Sequence, residues 1–179
     1  AAVTALTTNG ISGPVTFTGL AQGSHTFSAR AIDAAGNVDP TPVTRTWSID
    51  TTPPDTSIVS GPSGATTATT ATFDFASPET GVTFECAVDG ATFAACADPL
   101  TLNGLSQGNH TLQVRAVDAA GNVDPSPATA SWVVDTSAPD TSIVTGPSGA
   151  VRSASATFDF GSNETNVTFQ CALDGAAFA

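Results

Sequence analysis

Apolar and polar residues alternate one by one along several short stretches of this chain. Ala71, Phe73 and Phe75 alternate with Thr72 and Asp74, and Val82, Phe84, Cys86 and Val88 alternate with Thr83, Glu85 and Ala87. Leu112, Val114 and Ala116 alternate with Thr111, Gln113 and Arg115, while Trp132 and Val134 share a face against Ser131. A period of two sends successive side chains to opposite faces of a strand, so each stretch offers one face to a core and one to water. Adding Ser57–Val59, Thr92–Ala94 and Leu100–Leu102 predicts about seven strands, separated by turn residues at the short spacing of an all-β domain. No helical period competes with them. The pattern predicts an all-β chain built as antiparallel β-sandwich.

The alternating pattern recurs. Residues 19–64 and 104–149 align without a gap at a shift of 85 positions, and 31 of the 46 aligned residues are identical. The same shift carries Phe73-Asp74-Phe75 onto Phe158-Asp159-Phe160, Trp47 onto Trp132, and Cys86 onto Cys171. A fixed period of this kind marks an array of repeated units, and about 85 residues is the size of one small sandwich domain rather than of a solenoid repeat. Asp50–Asp55 and Asp135–Asp140 read as joints, because Thr52-Pro53-Pro54 and Ser137-Ala138-Pro139 hold φ fixed at proline and behave as semi-rigid hinges. The expected organisation is the C-terminal part of one repeat in 1–50, a complete repeat in 51–135, and the N-terminal part of another in 136–179.

Several segments carry a resemblance: Phe84-Glu-Cys86-Ala-Val-Asp89-Gly90, Gly108-Asn-His110-Thr, Val114-Arg-Ala-Val-Asp118-Ala-Ala-Gly121-Asn122, and Trp132-Val-Val-Asp135 before a proline joint. The chain resembles the bacterial immunoglobulin-like (Ig-like) repeats of very large secreted and surface-anchored proteins, over essentially its whole length. Fibronectin type III domains share the architecture, but the cysteine pair and the Asp-Ala-Ala-Gly-Asn loop favour the bacterial family. The resemblance implies tandem Ig-like sandwiches. It leaves open whether they act as stalks, spacers, adhesive modules or filament subunits, since a fold does not specify its use.

Charge narrows the partners. The formal net charge is −12, from 4 basic and 16 acidic residues, and there is no Lys, Tyr or Met. An acidic surface repels phosphate backbones, so nucleic acid and anionic membrane are poor partners. No stretch reaches the roughly 18 consecutive apolar residues of a membrane span. The opening Ala-Ala-Val has no basic leader, which fits a mature or internal fragment. Abundant Thr, Ser, Gly and Pro suit strands and turns.

The cysteines are Cys86, Cys96 and Cys171. Shifted back by 85, Cys86 falls on Ala1 and Cys96 on Ile11, so the first copy lacks both together; shifted forward, Cys171 needs a partner at position 181, beyond this sequence. Joint loss is what a Cys86–Cys96 disulfide predicts and what independent thiols do not. A two-residue Asp89-Gly90 turn would set Cys86 across from Phe93, so the bond requires a wider or irregular hairpin. A disulfide also argues for an oxidising, extracytoplasmic compartment.

The loop Asp118-Ala-Ala-Gly121-Asn122-Val-Asp124, with its twin Asp33 to Asn37 and Asp39, supports two readings. One is a turn in which Gly-Asn supplies positive φ and Asp side chains bond nearby amides. The other is a calcium (Ca2+) site at the joint, with Asp135 or Asp140 joining; calcium takes 6–8 oxygens, and family members in giant adhesins use interdomain calcium. His25 and His110 are one position seen twice, so a complete repeat holds a single His, and no Ser–His–Asp, HExxH or CxxC arrangement can be assembled. That argues against an enzyme. The His is expected to begin an edge of its strand, with its ring satisfied by local backbone. Trp47 and Trp132 read as core tryptophans rather than sugar platforms. Asn109, Asn163 and Asn166 sit in glycosylation sequons, which matter only where the producing cell has the transferase.

The expected function is a non-catalytic extracellular or cell-surface stalk, spacer or filament-building array. The competing class is an adhesive module that grips carbohydrate, protein or a host surface ligand through exposed loops, and its surface is sought in the most variable stretch, Ala1–Thr18 against Cys86–Asn103. Because the chain opens in late strands and closes in early ones, residues 1–50 are expected to pack against early strands outside this chain, and 136–179 against late strands outside it. The expected partners are neighbouring repeats or further copies of the chain, head to tail. What covers Phe158, Phe160 and Phe169 decides the point.

Overall fold

The structure, a computed structural model, describes residues 14–179. The first-copy positions Ala1 and Ile11, and the first 13 residues of the variable stretch, lie outside them. Every regular element among the described residues is a strand, and the chain divides into two units, one running to Val134 and one from Asp135 to Ala179.

In the first unit, β1 (Gly23–Ala29) and β2 (Val43–Ile49) form a two-stranded antiparallel sheet with Gly23 across from Ile49 and His25 across from Trp47. The rest of the unit carries β3 (Ser57–Ser60), β4 (Gly64–Thr66), β5 (Thr70–Ala76), β6 (Thr83–Val88), β7 (Ala94–Cys96), β8 (Leu100–Asn103), β9 (Gly108–Val117) and β10 (Ala128–Val134). One sheet has the order β4-β10-β9-β6-β7 and the other β3-β5-β8. The alternation read from the sequence sets their inner faces. Ala71, Phe73 and Phe75 of β5 are buried against Cys86 of β6, Leu112 and Val114 of β9, and Trp132 and Val134 of β10. Phe73 meets Trp132 at 5.0 Å and Phe75 meets Phe84 edge-on at 5.1 Å, so aromatic pairs bridge the two sheets. Removing each such side chain from water contributes about 1.5–3 kcal/mol. This is the sandwich that the period-two pattern predicts.

Two details differ from the sequence reading. There is an additional strand, β4, which lies parallel to β10 with Gly64 across from Trp132. Three residues with no alternation give no local signal, and only the neighbouring edge of β10 makes them a strand. The segment expected at Thr92–Ala94 is instead Ala94–Cys96. The Asp89-Gly90 turn is tight, with both residues at positive φ (50° and 77°) and the Ala91 amide donating to the Val88 carbonyl at 3.0 Å. One extra residue beyond it puts Cys86 across from Ala94 and Cys96 across from Phe84. The widened return lets the Cys86–Cys96 disulfide form diagonally, with Cα atoms 5.8 Å apart. Cys171 is a free, exposed thiol.

In the second unit, β11 (Thr141–Thr145) pairs antiparallel with β12 (Asp159–Ser162) and carries a bulge between Ile143 and Thr145. The equivalent bulge in β3 falls between Ile58 and Ser60. Phe160 meets Phe169 edge-on at 4.9 Å, as Phe75 meets Phe84. Burial is what differs. Phe73 and Phe75 are 0% and 3% exposed, whereas Phe158 and Phe160 are 44% and 41% exposed.

Candidate functional site

The segment 50–56 that joins β2 to β3 gathers most of the chain's unusual polar chemistry. It is clamped from one side by Gln22, whose Oε1 accepts from the Thr51 amide and hydroxyl, both at 2.8 Å, and whose Nε2 donates to Asp50 Oδ1 at 2.7 Å. From the other side, Asn122 Nδ2 donates to the Asp50 carbonyl at 3.1 Å. Thr56 closes the joint: its buried hydroxyl accepts from the Ala116 amide at 2.8 Å, tying the entry of β3 to the end of β9. Gln22 was not singled out by its sequence. Its recurrence at Gln107 was the available signal.

Asp118 organises the loop after β9. Its Oδ1 accepts from the Ala120 and Asn122 amides at 2.8 Å, and its Oδ2 from Asn122 Nδ2 at 2.7 Å. Asp33 makes the same three bonds with Ala35 and Asn37 at 2.9, 2.8 and 2.7 Å. The side-chain bond from Asn122 leads the effects that hold the Asp118 carboxyl below the usual range, and Asn37 does the same for Asp33. Asp124 is buried and looks to its own turn, accepting from the Ser126 amide at 2.7 Å and hydroxyl at 3.0 Å. Burial alone would raise its pKa, but hydrogen bonds from Thr56 and Ser126 outweigh it and lower the value. Asp39 accepts from the Thr41 amide and hydroxyl at 2.8 Å in the same manner.

The acids named for a cation site therefore do not converge as one set. Asp39 is occupied by its own turn, and Asp124 by Ser126 of its turn together with Thr56. Asp135 follows Val134, which pairs with Gly108 at the far end of β10, while Asp118 follows the opposite end of β9. At about 3.3 Å per residue, the ten residues of β9 put roughly 30 Å between those ends. Asp118 instead meets Asp50, the position that repeats as Asp135, together with Glu79 from the loop between β5 and β6. One carboxylate oxygen from each of the three lies within 4.8 Å of the others. Desolvation, then the charges of Asp118 and Asp50, push the Glu79 carboxyl up. Three carboxylate oxygens are fewer than the 6–8 that calcium takes. Asn37 acts as an amide donor inside its turn, and Asn122 donates both to Asp118 of its turn and to the Asp50 carbonyl.

His110 lies near the start of β9 and is buried. Its Nε2 faces the Ser106 carbonyl at 2.8 Å, the backbone contact foreseen, and its Nδ1 faces Asp89 Oδ2 at 2.8 Å. The ring stacks on Trp132 with centroids 5.4 Å apart. Trp132 is itself part of the core. On the outer face of the same sheet, Arg115 donates to Glu85 at 2.8 Å and lies 4.1 Å above the ring of Phe93. Of the sequon residues, Asn109 is an exposed position on β9, Asn163 accepts from the Asp140 amide at 2.7 Å, and Asn166 is exposed at a φ of 60°.

Among the described residues no helix is long and apolar enough to cross a membrane. No family model and no curated protein matches the chain.

Proposed function

We propose that this chain is part of a tandem array of Ig-like β-sandwich repeats of about 85 residues, serving as a non-catalytic extracellular stalk, spacer or filament-building segment of a bacterial surface or secreted protein. The observation that carries the reading is one local design used twice. Residues 19–64 and 104–149 share 31 of 46 residues, and the pairings Gly23 with Ile49 and His25 with Trp47 recur 85 positions later as Gly108 with Val134 and His110 with Trp132. A unit repeated with so little change suits a scaffold, because a dedicated receptor site needs loops that differ from their neighbours. The polar clamp of Gln22, Asn122 and Thr56 on segment 50–56 supports a stiffened connection. The Cys86–Cys96 bond suits an oxidising compartment.

The single His of the repeat serves stacking and hydrogen bonding in the core, which favours scaffold over catalysis. The test is location. Antibody raised against residues 51–134 is expected to label intact, unpermeabilised producing cells or their culture medium, with Cys86 and Cys96 oxidised. Protein confined to the cytoplasm with both thiols reduced would overturn the reading.

A further inference from the structure

Domains joined by a short link move against each other unless the link itself is held. Between Ile49, the last residue of β2, and Ser57, the first of β3, most residues are held. Gln22 precedes β1 and reaches three of them. Beyond its bonds to Asp50 and Thr51, its Nε2 donates to Thr52 Oγ1 at 3.1 Å. The Thr52 amide in turn donates to Asp50 Oδ1 at 3.1 Å, folding the start of the segment on itself. At the other end Pro54 and Thr56 are buried, and the Thr56 hydroxyl is fixed by the Ala116 amide. Only Pro53 separates the part held by Gln22 from the buried part, and its ring fixes φ.

Asp50 is the deciding residue, because both sides hold it at once. Its carboxylate accepts from Gln22 on the β1 side, and its carbonyl accepts from Asn122 in the loop after β9. Turning β1–β2 against the sandwich about this point breaks one bond or the other. We infer that segment 50–56 is a lock rather than a hinge. β1–β2 and the complete sandwich turn as one rigid body, and Gln22 and Asn122, more than the prolines, set the stiffness of the joint. The same residue types recur at Gln107, Asp135, Thr136, Pro139 and Thr141, as a device belonging to the repeat requires. The inference rests on the repeat reading above and gives the array a mechanical property, that of a stiff rod whose neighbouring units are coupled.

The test measures orientation in the 179-residue chain through residual dipolar couplings of its backbone amides. One alignment tensor should fit β1, β2 and the strands β5 to β10 together. Gln22→Ala, outside the sandwich, and Asn122→Ala, within it, should each require two tensors. The Thr51 amide should also exchange with solvent roughly 5-fold faster in Gln22→Ala, as loss of one hydrogen bond implies. Asn37 makes the turn bond to Asp33 that Asn122 makes to Asp118, but it does not touch segment 50–56. Asn37→Ala should therefore keep a single tensor. The thermal transition of the sandwich reports that each variant stays folded. An unaltered chain that needs two tensors would overturn the inference. So would a single tensor in Gln22→Ala or Asn122→Ala, or two in Asn37→Ala. A hinged result leaves the surface-array reading intact, since that is tested by cellular location.

Discussion

The imidazole Nδ1 of His110 and the carboxylate Oδ2 of Asp89 meet at 2.8 Å, joining the middle of the five-stranded sheet to the turn between β6 and β7. Asp89 is also fastened by the Thr111 amide, which donates to its Oδ1 at 2.8 Å. The Ser106 carbonyl, followed by Asp89, raises the His110 pKa. Burial opposes the charge of Asp89, but the bonds from Thr111 and His110 prevail and lower its pKa.

The pH dependence of stability follows from those two directions. A raised His value gives stabilisation that is complete below the unfolded pKa of about 6.5 and disappears as pH rises through the folded value. A lowered Asp value gives stabilisation present above about pH 3.9 and lost as pH falls through the folded value. The pair therefore contributes most between these limits. Thermal melts of the native chain should fall from pH 6 to pH 8, and His110→Gln should flatten that fall. Parallel curves for the two proteins would show that the pair is not responsible.

Gly61 lies flat against Phe73, and a methyl group added there would collide with the Phe73 ring. Because Phe73 is wholly buried between the sheets, it has nowhere to go. Gly61→Ala should cost about 1–3 kcal/mol, the usual effect of overpacking a core. Gly146 has the same relation to Phe158, but that ring is 44% exposed and can turn aside. Gly146→Ala should leave the main transition nearly unmoved in denaturant titration. Equal losses for the two variants would contradict this account.

The disulfide closes a loop with a sequence separation of 10 residues. In the chain-entropy model a loop of this size contributes roughly 2–3 kcal/mol. Cys86→Ser combined with Cys96→Ser should lower the chemical-denaturation free energy by that amount. In non-reduced, unfolded protein, a thiol reagent should add once, at Cys171, and three times after reduction. Three additions without reductant would exclude the bond.

Glu79 is raised first by desolvation and then by the charges of Asp118 and Asp50. For a carboxyl shifted upward, stability is retained at low pH and lost as the group ionises, so at neutral pH its charge is a liability. Glu79→Gln should raise the melting temperature at pH 7 in chelator, and the gain should vanish near pH 4. A lower melting temperature at pH 7 would show that the Glu79 charge is instead compensated.

The strands and their inner faces were legible in the chain itself. Phe73, Phe75, Leu112, Val114 and Trp132 mark the core because alternation is local, and adjacent residues decide it. The repeat, the Cys pair and the turn chemistry of Asp118 with Asn122 were legible for the same reason, since all their signals lie within a few residues or at one fixed shift. What stayed hidden depends on strand order. Glu79, Asp50 and Asp118 are far apart in sequence and meet only because three loops reach the same end of the sandwich. Asp89 and His110 are 21 residues apart and meet because β6 pairs with β9. Asp50 and Asp135 look alike to the eye because the repeat makes them equivalent, yet β9 and β10 run in opposite directions. Asp118 is therefore carried to the entrance of its repeat, beside Asp50, while Asp135 leaves from the other end.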